Sequence, residues 1–298
     1  LLGYIRAERV VMQYTVYMHT STHKIFFYGT PLLLALFVVS IFVLSARANP
    51  KVTQDASTTK DTSVVESDTT PTSLSVPVLV YHHIREFTVN ESEASREFVV
   101  TPAMFEKQMQ YLSDNGYTGV LVKDLTTVLE GTMPLPENPV VVTFDDGRLN
   151  QYENALPVLT KYDIRATFFI FTNAVDANDK YLTSAEIREL DTFGHEIASH
   201  TILHPYLTRV DHELLVKELV ESKAKLERIV GHSVVSLAYP FGLFNEAVVE
   251  ETTRAGYAYA RTLAHEYNIT ANNLLMLPGF IITNDFDYFL AIMEGKVK

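Results

Sequence analysis

The alternation of short apolar runs with helical patterns most constrains the fold of this chain, and it extends over residues 76–298. Strands are predicted at 78–81, 119–122, 140–144, 166–171, 196–199, 236–239, 257–261 and 277–282. Helices are predicted at 102–115, 123–130, 154–162, 184–193, 211–229, 245–255 and 285–295. Such alternation favours right-handed βα units and a parallel sheet. Seven or eight units indicate closure into a barrel, although the pattern alone leaves an open sheet as an alternative.

Two polar motifs follow predicted strands. Thr-Phe-Asp-Asp-Gly occupies 143–147, and Ser-His-Thr-Ile-Leu-His-Pro occupies 199–205. One Asp and two His provide three ligands for a divalent metal with a position left for water, and the other Asp is then free to act as a base. Taken singly, the first motif is often only a turn and the second only a surface pair of histidines. Because both follow strands, where α/β folds place their chemistry, together they favour metal-assisted hydrolysis.

These motifs resemble those of the polysaccharide deacetylase family, also called the NodB homology or carbohydrate esterase 4 family. The segment Leu-Ala-Tyr-Pro-Phe-Gly at 237–242 is similar to a third family motif. Segments 77–84 and 105–122 resemble the branch that includes the poly-N-acetylglucosamine deacetylases. The resemblance covers about residues 76–298, and it implies an α/β fold, a distorted (β/α) barrel of about seven to eight parallel strands.

The resemblance also implies roles for individual residues. The expected metal ligands are Asp146, His200 and His204, and Asp145 is the expected base, which takes a proton from the metal-bound water that attacks the acetamide carbonyl. The backbone N–H of Phe241 is the expected oxyanion donor. We expect substrate contacts from the third motif, at Tyr239, Pro240 and Phe241. Carboxylate and imidazole ligands suit Zn²⁺ best and also allow Fe, Co or Ni.

The chain departs from the wider family at the acid. It has no His after His265, whereas the family places an acid His near its C-terminus. The branch resembled here takes one from the first strand, so His82 is the first candidate for protonating the leaving amine, with His83 second. Neighbouring residues at a strand end face opposite ways, so we expect only one of the two to point into the site.

A second departure concerns the cation beside the base. Ala238 stands where the wider family has an Arg that orients the base, and Pro278-Gly279 stands where a further basic residue is often found. Arg148 and Arg261 are the candidate substitutes.

The N-terminal region predicts a membrane anchor followed by a linker. Residues 1–24 form a short N-terminal segment, and 25–46 are 22 consecutive uncharged, mostly apolar residues, enough for a helix that crosses a membrane. We expect an anchor; the alternative is a signal peptide cleaved after Ala48, which would give a secreted protein. Residues 47–75 are rich in Ser and Thr and predict a disordered linker. The catalytic domain, 76–298, is then expected outside the membrane.

Composition narrows the function. The net charge of −12 argues against nucleic acid, and the absence of Cys excludes a thiolate nucleophile or metal site. The resemblance implies a metal-dependent N-deacetylase acting on an extracellular or cell-wall polysaccharide, of the poly-N-acetylglucosamine or peptidoglycan type. One alternative is a membrane-tethered glycan-binding protein on a degenerate deacetylase scaffold, favoured by the missing Arg. A hydrolase of another amide or ester bond is a third.

Overall fold

The computed structural model describes residues 73–297, in which strands and helices alternate along the chain. The strands are β1 (Ser73–Ser75), β2 (Val78–Tyr81), β3 (His83–Ile84), β4 (Val99–Val100), β5 (Tyr117–Gly119), β6 (Asn138–Phe144), β7 (Thr167–Ile170), β8 (Glu196–Ser199), β9 (Ser236–Ala238), β10 (Tyr259–Arg261), β11 (Asn268–Thr270) and β12 (Phe280–Ile281). The helices are α1 (Glu93–Arg96), α2 (Pro102–Asp114), α3 (Leu125–Leu129), α4 (Leu156–Lys161), α5 (Ser184–Thr192), α6 (His212–Val230), α7 (Glu246–Arg254) and α8 (Phe286–Met293).

One parallel sheet organises these elements. Its strands follow the order β10-β9-β8-β7-β6-β2-β12, and β5 pairs in addition with the first three residues of β6. Leu277, just before β12, forms a further parallel bridge with Arg261 at the end of β10. The bridge links the two edges of the sheet, so the sheet is curled. This α/β arrangement fits the predicted (β/α) barrel.

Buried side chains lie on both faces of the sheet, as the two-residue period of a strand requires. Val142 and Phe144 of β6 belong to the cluster that packs against α2, α5 and α6. Val141, which precedes Val142, belongs to the cluster on the opposite face. Residue 145 continues the alternation on the face of Val141, so the first Asp of the 143–147 motif is directed away from the helices.

Local backbone chemistry shifts two of the predicted strands. β5 ends at Gly119, and the apolar residues that follow enter a 3-10 turn, Val122–Asp124, instead of extending the strand. A Cβ on Gly119 would lie 2.6 Å from the carbonyl oxygen of Arg165, so this close approach requires glycine. The run predicted at 277–282 forms a strand only over Phe280–Ile281, because Pro278 has no N–H to donate to a ladder.

The helices agree more closely with the pattern because their ends carry capping residues. Thr101 caps α2, Asp211 caps α6 and Asn245 caps α7, each accepting a backbone N–H of the first turn. The helix predicted at 154–162 differs at its start. It begins with a π-helical turn, Gln151–Ala155, and continues as α4.

The predicted boundary between linker and domain is wrong by three residues. Ser73–Ser75 was expected in the linker but forms β1, which pairs antiparallel with β11. Leu74 is buried between two exposed serines, so a single apolar side chain fixes this strand. The predicted segments 1–24 and 25–46, and the linker up to residue 72, lie outside the described residues. Across residues 73–297, no helix combines the length and apolar character that a membrane crossing requires.

One buried imidazole makes the stability of the fold depend on pH. The ring of His195, just before β8, accepts a hydrogen bond at Nδ1 from the N–H of Ala166 at 3.1 Å. Burial, helped by nearby Arg165, lowers the pKa of His195 from 6.5 to about 4. The folded state therefore binds the proton more weakly than the unfolded chain. The neutral His195 ring therefore stabilises the fold fully above pH 6.5. This part of the free energy of unfolding, on the order of 3 kcal/mol, is lost as the pH falls towards 4.

We expect His195→Asn to reduce the pH dependence of stability. The side-chain oxygen of Asn can still accept the N–H of Ala166, and it does not titrate. Urea unfolding between pH 7 and 4 measures it: the wild type should lose more free energy of unfolding than the variant. Equal losses would show that His195 is not the titrating group.

Candidate metal centre and active site

The three polar segments that follow β2, β6 and β8 meet at the carboxyl-terminal end of the sheet. They surround an open cavity of about 520 Å³. Parallel strands bring their carboxyl ends to the same edge, so residues far apart in sequence become neighbours. The cavity is lined by His82, His83, Arg85, Glu91, Ser95, Phe98, Asp145, Asp146, Arg148, His200, His204, Tyr239, Phe241, Gly242, Leu263 and Ile281.

The structure brings together the three residues expected to bind metal. One oxygen of Asp146 and one ring nitrogen each of His200 and His204 lie within 4.8 Å of one another. Asp146 has a φ of 77° and Gly147 a φ of 65°, so the chain turns sharply after β6. A Cβ on Gly147 would lie 2.8 Å from Ile170, which excludes other residues from this turn.

The hydrogen bonding of His200 suits a metal ligand. Its Nδ1 lies 2.8 Å from the carbonyl oxygen of Ala238, which only accepts hydrogen bonds, so Nδ1 carries the proton. Nε2 is then unprotonated and has a lone pair for a cation. A carbonyl that orients a ligand imidazole in this way is common in metal proteins.

Burial keeps the two imidazoles neutral. It lowers the pKa of His200, and together with His200 it lowers the pKa of His204 to about 4. Neutral imidazole is the form that binds metal.

Asp146 is held in its ionised form. Burial by itself raises the pKa of a carboxyl group, but His82, His200 and Arg148 around Asp146 outweigh it and lower the pKa to about 2. Arg148 donates to Oδ2 of Asp146 at 3.1 Å. One carboxylate and two neutral imidazoles are a donor set that fits a divalent cation, and this set alone does not distinguish Zn²⁺ from Fe, Co or Ni.

Asp145 lies beside this set and outside it. Its Oδ2 forms an ion pair with Arg261 and lies 3.8 Å from Nε2 of His82 and 3.9 Å from Nε2 of His200. Its Oδ1 is buried and has no hydrogen-bond partner. The side chain of Gln151, in the π-helical turn, donates to the backbone oxygens of Asp145 and His82 and so connects these two strand ends.

Arg261 supplies the cation whose source the sequence left open. It extends from the end of β10, is 1% exposed and donates to Asp145. Arg148, the other candidate, contacts Asp146 and Tyr181. A Cβ on Gly279 would lie 3.3 Å from Cδ of Arg261 and 2.9 Å from the carbonyl oxygen of Thr262. Glycine at 279, where a further basic residue is often found, therefore leaves room for Arg261.

The three candidate acids occupy different surroundings. His82 lines the cavity next to Asp145, its ring contacts Phe98 edge-on at 4.9 Å, and its buried Nδ1 has no partner. His83 also lines the cavity, but its Nδ1 is hydrogen-bonded to the side chain of Asn150. His265 stacks on Phe280 and is not among the residues that line the cavity.

Two of the three residues predicted to contact substrate in the third motif line the cavity. Phe241 lines it with a φ of 60° and is 44% exposed. Tyr239 also lines it, although the residue is buried and its hydroxyl donates to the carbonyl of Leu275. Pro240 is buried and is not part of the cavity wall.

Sequence analysis missed one wall of the cavity. Arg85, Glu91 and Phe98 come from the segment between β3 and β4, where Arg85 and Glu91 form an ion pair. Tyr206, which stacks on Phe241 with ring centroids 4.0 Å apart, was also missed. Neither the sequence between β3 and β4 nor the sequence around Tyr206 has strand or helix periodicity. The only indication of a functional role was an aromatic or charged residue close in sequence to a motif.

Comparisons with known proteins agree with this geometry. The family model described as "Polysaccharide deacetylase" matches residues 132–260. A Bacillus subtilis protein named for the same family is 30% identical over 61% of this chain, which spans 62% of the length of that relative. The poly-beta-1,6-N-acetyl-D-glucosamine N-deacetylase of Staphylococcus aureus is 26% identical over 73% of this chain and 82% of its own length.

A solved structure is also similar. The polysaccharide deacetylase BC0361 of Bacillus cereus has a TM-score of 0.66 and 31% identity, over 74% of this chain and 69% of that one. The chain belongs to the polysaccharide deacetylase family. The predicted family is confirmed, and with it the predicted enzyme class, a polysaccharide N-deacetylase.

The metal-ligand assignment predicts selective loss of metal. His200→Ala and His204→Ala each remove one of three ligands, so each should weaken binding of Zn²⁺ or Co²⁺ by more than about 100-fold. Calorimetric titration of metal-free protein measures the affinity, and circular dichroism checks the fold. Asp145→Asn is the matched control and should retain the metal. Unchanged affinity in His200→Ala would contradict the assignment.

The Arg261–Asp145 ion pair predicts a coupling in stability. Arg261→Met leaves a buried carboxylate without its cation and should lower the free energy of unfolding by about 3 kcal/mol. The double variant Arg261→Met/Asp145→Asn should recover most of that loss, because neither charge remains, but it should not recover activity.

A surface lysine provides the control for this experiment. Lys161, whose side chain is 57% exposed, pairs with Glu106, whose side chain is 44% exposed, and Lys161→Met should lower the free energy of unfolding far less than Arg261→Met does. Urea unfolding measures all four proteins. A double variant as unstable as Arg261→Met alone would show that Arg261 stabilises the fold by a route other than Asp145.

Proposed function

We propose that this chain is a metal-dependent enzyme that removes N-acetyl groups from a polysaccharide of N-acetylglucosamine. The placement of Asp145 carries the proposal. A site that only bound metal or glycan would not require a second buried carboxylate beside the ligands, because burying a charge is costly. Hydrolysis does require one, since a group must take the proton of the attacking water.

The residues around Asp145 define how it acts. Asp146, His200 and His204 would hold a divalent cation, which would supply a Lewis acid for the acetamide carbonyl and would lower the pKa of water to about 7. Asp145 accepts the proton of the attacking water, and we assign its Oδ1 to this step because that atom has no other partner. The ion pair of Oδ2 with Arg261 fixes the orientation of the carboxylate.

Two further groups complete the reaction. The backbone N–H of Phe241 donates to the oxyanion that forms on the acetamide oxygen. His82 donates a proton to the amine that leaves, because it lies next to Asp145 in the cavity and outside the ligand set. The pKa of His82 is lowered, because burial outweighs the carboxylates of Asp145 and Asp146, which raise it. A charged His82 therefore depends on both carboxylates.

Poly-β-1,6-N-acetylglucosamine is the substrate that we propose first. The Staphylococcus aureus relative is named for this polymer. The cavity is open to solvent at Phe241 and bordered by Phe98, and aromatic rings beside a polar centre suit the faces of a sugar. Peptidoglycan carries the same acetamide and is the second candidate. Zn²⁺ is the metal that we propose, since Asp and His ligands are typical of catalytic zinc sites.

Arg261 removes the argument for the glycan-binding alternative. That alternative was favoured by the absence of an Arg at position 238, which left the base without a cation. Arg261 makes that contact from a different strand. We further propose that the domain is extracytoplasmic and anchored through residues 25–46, because its proposed substrate is outside the cell.

The proposal predicts acetate release with separable effects of two variants. Metal-loaded protein is incubated with oligomers of poly-β-1,6-N-acetylglucosamine, chitin oligomers and peptidoglycan, and acetate and free amine are measured. We expect the highest kcat/KM on the first substrate. Asp145→Asn should lose about 10² or more in kcat and keep its metal, and His82→Ala should slow turnover without loss of metal.

His83→Ala is the matched control for the acid and should have the smaller effect. Wild-type kcat in His82→Ala would place the acid elsewhere. Metal-loaded protein that binds these glycans and releases no acetate would contradict the proposed function itself.

A further inference from the structure

Glu218 is a buried charged residue to which the reaction above gives no role. It lies in α6, is 1% exposed, and one of its oxygens, Oε2, accepts the backbone N–H of Ile202 at 2.7 Å and of Leu203 at 3.0 Å. These two residues lie between His200 and His204. The carboxylate therefore contacts the segment that connects the two imidazoles, and it contacts neither imidazole.

The connecting segment has an unfavourable backbone. Thr201 has a φ of 70° and His204 a φ of 56°, and neither residue is glycine. Each left-handed residue of this kind costs about 1 kcal/mol or more, and it persists only where the surroundings determine it. The segment therefore depends on contacts from outside itself.

The hydrogen bonds show which contacts these are. The N–H of Thr201 bonds to Ser199 and that of His204 to Thr201, so both acceptors lie within the motif. The N–H groups of Ile202 and Leu203 both bond to Glu218, which comes from a different element. The carbonyl oxygens of Thr201 and Ile202 accept the backbone N–H groups of Thr172 and Asn173, so Glu218 is the outside partner of the N–H groups alone. The same helix also approaches β8, since Ser222 and Ser199 are hydrogen-bonded through their hydroxyl groups at 2.9 Å.

We propose that Glu218 is a positioning residue that holds segment 201–204 in the conformation that places His204 beside His200. The inference rests on the metal site of the proposed function. His200 is oriented separately, through the Ala238 carbonyl, so His204 is the ligand whose position depends on Glu218. Without the carboxylate, two buried N–H groups lose their acceptor, and the segment relaxes from its left-handed conformation.

Three substitutions separate geometry from charge. Gln is nearly isosteric, and its carbonyl oxygen accepts both N–H groups, so Glu218→Gln keeps the contact and removes the charge. Glu218→Asp keeps the charge but is shorter by one methylene. Glu218→Ala removes both.

The experiment is a titration of Co²⁺ into metal-free protein, followed by the visible absorption of the bound ion, which reports the ligand geometry. We expect Glu218→Ala to bind about tenfold or more weakly and to show a changed spectrum. Glu218→Gln should stay within about threefold of the wild type, and Glu218→Asp should be intermediate. If Glu218→Ala does not fold, Glu218→Asp decides the question.

Two residues of the same helix serve as controls. Leu219→Ala creates a cavity in the core, so it should lower the melting temperature and leave the Co²⁺ affinity unchanged. Glu221→Ala removes an exposed charge one turn away and should change neither quantity.

The possible outcomes separate this inference from the proposed function. If the wild type binds Co²⁺ and Glu218→Ala binds it within twofold, the positioning role is wrong while the metal site stands. If Glu218→Gln loses as much affinity as Glu218→Ala, charge and not position is responsible, and the inference is again wrong. If the wild type does not bind Co²⁺, the metal site fails and the inference with it.

Discussion

The ion pair between Asp145 and Arg261 is the interaction on which the candidate site depends. A carboxylate that is to take a proton has to remain near the metal ligands without becoming one of them. Arg261 occupies Oδ2 of Asp145, and the turn at Asp146 and Gly147 directs the second carboxylate towards the two imidazoles. Two adjacent residues of one type thereby acquire different partners. The parallel sheet makes this pairing available, because it brings the ends of β6 and β10 to the same edge although 116 positions separate the two residues.

Much of the architecture was predictable because the chain repeats one local rule. Most apolar runs are followed by a helical stretch, and the order of strands and helices follows from that repetition. Side-chain caps mark the starts of α2, α5, α6, α7 and α8. The metal-ligand candidates were predictable for a related reason. Asp146, His200 and His204 lie within two short motifs, so their proximity required only that β6 and β8 be close in one sheet.

The remaining features of the site depend on distances between side chains that the sequence pattern does not reveal. Nothing in the segment around Arg261 indicates that its side chain, instead of that of Arg148, reaches Asp145. Nothing in the sequence of α6 distinguishes Glu218 from the other glutamates of that helix; its burial becomes visible only in the structure. Tyr239 and Pro240 were expected to contact substrate because they belong to a motif; Tyr239 does line the cavity, whereas the buried Pro240 does not. The cavity wall formed by Arg85, Glu91 and Phe98 comes from an irregular segment, where no periodicity guides a prediction.

The packing around Gly279 limits where the cation of this site can be placed. A Cβ at 279 would lie 2.9 Å from both the carbonyl oxygen of Thr262 and the side chain of Val80, and 3.3 Å from Cδ of Arg261. A basic residue introduced at 279 would have to displace the backbone as well as the existing arginine. The cation at the end of β10 therefore cannot simply be exchanged for one at 279.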